Sequence, residues 1–79
     1  ATAVAGRLLS NGKPLADAHG TVRVNSETKE IVTAREGSFY AEQVPPGVYQ
    51  GEAGGSPFSL RVPRSDDVVT ELGEVACAN

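Results

Sequence analysis

Phe58-Ser59-Leu60-Arg61-Val62 alternates apolar and polar side chains without a break, and Pro57 and Pro63 stand on either side of it. An extended backbone turns successive side chains to opposite faces, so Phe58, Leu60 and Val62 share one face and Ser59 and Arg61 the other. That period of two predicts a strand with one dry side and one wet side. The flanking prolines cannot donate to a ladder, and Arg61 brings a charge, so the strand suits a protected sheet edge with its apolar face turned inward.

Working outward, the same period recurs between turn signals. Val4, Gly6 and Leu8 fall on one parity before Asn11-Gly12, a pair that accepts the positive φ of a tight reversal. Pro14 follows closely, so the return strand is expected later, at Thr21-Val22-Arg23-Val24, before the polar stretch Asn25 to Lys29 breaks the pattern. Glu30 to Arg35 and Ser38 to Val44, separated by Glu36-Gly37, read as a hairpin whose second arm is aromatic. Pro45-Pro46-Gly47 stops that arm, Val48 to Ala53 runs on to Gly54-Gly55, and Arg64 to Asp67 turns the chain from Val62 into a last strand over roughly Val68 to Cys77. Leu15 to Ala18 is too short for a stable helix and reads as a loop or turn.

Seven short strands without a 3.6-residue stripe predict an all-β fold, a seven-stranded antiparallel β-sandwich. The expected core is Val4, Leu8, Val22, Val24, Ile31, Phe39, Val44, Tyr49, Phe58, Leu60, Val62, Val69, Leu72 and Val75. With 79 residues and no visible repeat or linker, residues 1–79 read as one domain. A chain of this size buries only about 60% of the surface it exposes when unfolded, which leaves a thin stability margin and little room for a deep catalytic pocket.

Composition narrows the partners. Ten acidic and seven basic residues give a net charge of −3 with no basic run, so neither nucleic acid nor an anionic membrane surface is an expected partner. One cysteine and one histidine can build neither an internal disulfide nor a zinc cluster, and no cofactor is expected. The sequence shows no initiating Met, no charged-then-apolar leader and no run of eighteen apolar residues. The expectation is a piece excised from a larger protein, not itself inserted in a membrane.

Residues with chemical potential have plainer readings. Ser10, His19 and Asp17 can be written as a nucleophile, base and acid, but no Gly-x-Ser-x-Gly elbow is present, and His19 reads as a surface residue beside a turn. Asp66, Asp67, Glu71 and Glu74 gather carboxylates, yet Val68, Val69 and Leu72 interrupt them and strand alternation scatters them over two faces. They read as solvated acids, and no metal site is expected. Gly51, Gly54 and Gly55 lack the Lys-Ser/Thr pair and helix start of a phosphate loop, and read as turn and bulge residues. Cys77 reads as a small buried apolar residue, or as half of a pair whose other half lies in the parent chain or has been lost. No catalytic, cofactor or metal residue is therefore assigned, and partner-binding residues are left open.

Three segments together carry a resemblance: Gly6-Arg7-Leu8-Leu9 with Asn11 to Ala18, Thr33 through Glu36-Gly37-Ser38-Phe39-Tyr40, and Pro45-Pro46-Gly47-Val48-Tyr49. This pattern resembles the carboxypeptidase-regulatory-like, or transthyretin-like, β-sandwich, also described as immunoglobulin-like in its layering. Such turn chemistry reports fold better than function. The ending, Phe58-Ser59-Leu60-Arg61-Val62, a polar turn and Leu72-Gly73-Glu74-Val75-Ala76-Cys77, is similar to the C-terminal domain of outer-membrane ushers of the chaperone-usher pilus pathway. Those domains commonly carry a second cysteine near the strand of Phe58, where this chain has Gly54-Gly55-Ser56-Pro57. The resemblance implies a non-catalytic docking module on the periplasmic side of the bacterial outer membrane. Its partners would be chaperone-subunit complexes, received during fibre assembly. The alternatives are a structural or adhesion spacer in a secreted or surface protein and, from the enzyme class, a small hydrolase built on His19.

Overall fold

The structure, a computed structural model, describes residues 2–78; the two end residues of the expected 1–79 domain, Ala1 and Asn79, lie outside the described residues. Eight strands follow one another: β1 (Thr2–Ser10), β2 (Lys13–Pro14), β3 (His19–Val24), β4 (Glu27–Val32), β5 (Ser38–Val44), β6 (Gly47–Ala53), β7 (Ser56–Val62) and β8 (Val69–Cys77). No helix occurs among the described residues, and Leu15 to Ala18 is a turn, as its length requires.

The strands form two sheets laid face to face. In the first, β1 is the middle strand, with β5 and the short β2 along one edge and β8 along the other. In the second the order is β4-β3-β6-β7. The inward residues of both close on one core of Val4, Leu8, Val22, Val24, Ile31, Phe39, Ala41, Val44, Tyr49, Ala53, Phe58, Leu60, Val62 and Cys77. Leu72 and Val75 pack against that core while still partly exposed, and Val69 stays outside it.

Several expectations need correction. The strand count is eight, because Asn11 (φ 54°) and Gly12 (φ 77°) reverse the chain at once and Leu9 faces Pro14 across a two-residue arm. Pro14 is tolerated there because Leu9/Pro14 falls between two hydrogen-bonded positions of the alternating antiparallel ladder, so its nitrogen faces away from β1, and the next donor to β1 is the Leu15 amide, 2.9 Å from the Leu8 carbonyl. The segment expected as the return of β1, Thr21 to Val24, lies instead in the second sheet between β4 and β6. Nor do Glu30 to Arg35 and Ser38 to Val44 make a hairpin. β4 pairs back on β3 through Asn25-Ser26, with Asn25 at φ 57°, and Glu36-Gly37 carries the chain across to the other sheet. Finally the sandwich is not wholly antiparallel, since β8 runs parallel to β1 from Ala3↔Val69 to Ser10↔Cys77.

Glycines make this packing possible at two places. Between Ala5↔Glu71 and Arg7↔Glu74 the parallel ladder holds Gly6 against both Leu72 and Gly73, a bulge that Gly73 enters at φ 71°. Gly51 is not a bulge but a regular ladder residue between Val22 and Phe58, and its missing side chain leaves the space the Phe58 ring fills.

The crossover at Glu36-Gly37 is anchored from below by Thr33, which is buried. Its hydroxyl accepts from the Ala18 amide at 2.8 Å and donates to the Leu15 carbonyl at 2.7 Å, tying the 15–18 turn to the end of β4. This role of Thr33 leaves no local mark in the sequence, because both bonds join segments that only the fold brings together.

Candidate functional site

Each sheet ends in strands with one unpaired side, and on one flank of the sandwich β7 and β8 face each other. They meet at one end, where the Ala78 amide donates to the Pro57 carbonyl at 2.8 Å. Farther along they diverge into a groove of about 540 Å³ lined by Phe58, Ser59, Arg61, Leu72, Glu74 and Val75, among others.

That one hydrogen bond fixes the direction of the β7 edge. Pro57 turns its carbonyl toward β8 and so away from β6. Backbone groups of an antiparallel strand alternate in direction residue by residue. Ser59 and Arg61 therefore point their N–H and C=O groups into the groove as well, while Phe58, Leu60 and Val62 bond back to β6 and bury their side chains. The expected inward apolar face and protected edge are both present: Pro57 brings no N–H to the free side, and Arg61 holds it with a charge.

The groove is mixed in character. Leu72 and Val75 line its floor as half-buried apolar groups, and Ser59 Oγ on the outer side donates to Gln50 Oε1 at 2.9 Å. Arg61 and Glu74 are contributed by opposite banks. Glu74 is also the register partner of Arg7 in the β1–β8 ladder, and their side chains form a 3.5 Å ion pair in which both are substantially exposed, a geometry that contributes little to stability.

Cys77 lies at the end of β8 and turns its side chain into the core, outside the groove's lining. It is buried, unpaired and one residue before the Ala78 amide that meets Pro57. The only cysteine thus lies beside the Ser56-Pro57-Phe58 stretch. Burial pushes the thiol pKa above its ordinary value of 9.0. The thiol is therefore held neutral near pH 7, unlike a reactive thiolate.

The other residues considered from the sequence are dispersed. Ser10 ends β1 opposite Lys13 and Cys77, whereas His19 opens β3 opposite Val32 in the other sheet. Asp17 sits in the intervening turn at φ 50°, and its backbone amide donates to Ala34 O at 3.2 Å. No hydrogen bond among the described residues joins His19 to Ser10 or Asp17. Asp66 and Asp67 lie in the loop before β8 while Glu71 and Glu74 project from that strand, and no group of three or more His, Cys, Asp or Glu placed to hold a metal ion occurs among the described residues. Gly54 and Gly55, at φ 57° and 83°, form the two-residue turn between β6 and β7. No helix among the described residues is long and apolar enough to cross a membrane.

No protein-family model matches the sequence, and no curated protein does. Among solved structures the fold is similar to a DUF3823 family protein from Parabacteroides merdae, with a TM-score of 0.62 and 11% sequence identity over 98% of this chain. The chain spans 45% of the length of that neighbour. The likeness defines a small all-β domain with a structural counterpart inside a longer protein, and it concerns the fold alone.

Proposed function

We propose that this chain is a non-catalytic docking module of the transthyretin-like kind, which closes an outer-membrane usher on the periplasmic side and receives chaperone-subunit complexes during fibre assembly. The observation that carries the reading is the position of the two segments similar to usher endings. Phe58–Val62 and Leu72–Cys77 are separated by a loop in sequence, yet they form the two banks of one groove. A docking surface needs accessible backbone groups, some apolar floor and a few charges for orientation, and this groove brings Ser59 and Arg61 backbone groups, Leu72 with Val75, and Arg61 with Glu74.

The one departure from the usher pattern is compatible with the reading. Ala78, the residue after Cys77, bonds to Pro57 at the start of β7, the region where such domains commonly carry a second cysteine, and this arrangement supports the reading although the partner thiol is absent from this chain. The alternative reading, a structural spacer in a secreted or surface protein, is supported by the neighbour in which this fold occupies less than half of a longer chain.

Deleting residues 1–79 from the parent separates the two. A docking module predicts loss of fibre assembly with the rest of the parent still folded and inserted. Unchanged assembly after the deletion would favour the spacer and overturn the proposal.

A further inference from the structure

We draw no further inference here: the strongest candidate outside the β7–β8 groove, the seam between the edges of β4 and β5 where Val32 and Tyr40 stand exposed, is an unpartnered apolar strip, and nothing in the structure shows what covers it.

Discussion

The phenolic hydroxyl of Tyr49 donates a 2.6 Å hydrogen bond to the carbonyl of Pro45, four residues back along the chain. The bond explains why Pro45-Pro46-Gly47-Val48-Tyr49 behaves as a unit. The prolines bend the chain out of β5, and Tyr49 buries its ring in the core while its polar end clasps the bend. Gly47 lies between them at φ 153°, where an added Cβ would stand 3.1 Å from the Tyr49 hydroxyl. Tyr49→Phe is expected to cost about 1 kcal/mol in urea unfolding, the net worth of one hydrogen bond. Gly47→Ala is expected to cost about 1–3 kcal/mol, from the strained backbone and from the close contact of the new Cβ with the Tyr49 hydroxyl, and the contact part of that cost should fall once Tyr49 has become Phe. Equal costs for Gly47→Ala in both backgrounds would show that the glycine and the hydroxyl are not coupled.

Two buried threonines make opposite predictions for one chemical change. Thr33 serves Ala18 and Leu15 with its hydroxyl, whereas Thr70 Oγ1 is buried with no partner among the described residues. Thr33→Val strands a donor and an acceptor and is expected to destabilise the domain by about 1–3 kcal/mol. Thr70→Val removes an unpaired polar atom and is expected to be neutral or stabilising. Denaturation midpoints of the two variants should therefore move apart; a large loss from Thr70→Val would mean that its hydroxyl is satisfied.

At Gly51 the ladder leaves no room for a methyl group. An added Cβ would lie 2.6 Å from the Thr21 carbonyl and 2.7 Å from Cζ of Phe58. Gly51→Ala is expected to lower stability by about 1–3 kcal/mol through overpacking, and the amide resonances of Phe58 and Ser59 should shift most. A variant as stable as the parent, with an unchanged spectrum, would contradict the packing described.

Cys77 supplies a pH dependence whose sign follows from its burial. With the folded pKa above the ordinary 9.0, the stability contribution is intact below that value. As pH rises beyond it, the unfolded chain releases the thiol proton before the folded one, and stability falls. Unfolding free energy should therefore decline with pH in that alkaline window, and Cys77→Ala should flatten that part of the profile. A thiol reagent should label the folded protein more slowly than the urea-unfolded chain; equal labelling rates would place the thiol at the surface.

Which parts of this architecture the sequence could show follows from the range of each signal. Side-chain parity is local, so the inward sets Val22/Val24 and Phe58/Leu60/Val62 and the Gly54-Gly55 turn were legible from the sequence. Pairing is not local. Asn25-Ser26 reads as the start of a polar stretch that breaks the strand pattern, yet Asn25 accepts positive φ and closes the β3–β4 hairpin. The parallel β1–β8 contact joins opposite ends of the chain and leaves no mark in composition. The groove depends on that contact: β7 announced itself as an edge through Pro57, Arg61 and Pro63, but only the fold puts β8 beside it. Small residues such as Ala41 and Ala53 entered the core unannounced, since their burial follows from the partner strand and not from their own hydrophobicity.

The most direct test of the docking reading is a titration of the isotopically labelled 79-residue chain with a periplasmic chaperone-subunit complex, followed by backbone amide NMR. The account predicts that shifts or broadening concentrate at Ser59, Arg61, Leu72 and Val75, and that Arg61→Glu weakens the response while leaving the fold intact. An unperturbed spectrum at excess complex, or changes confined to the β4–β5 flank, would contradict it.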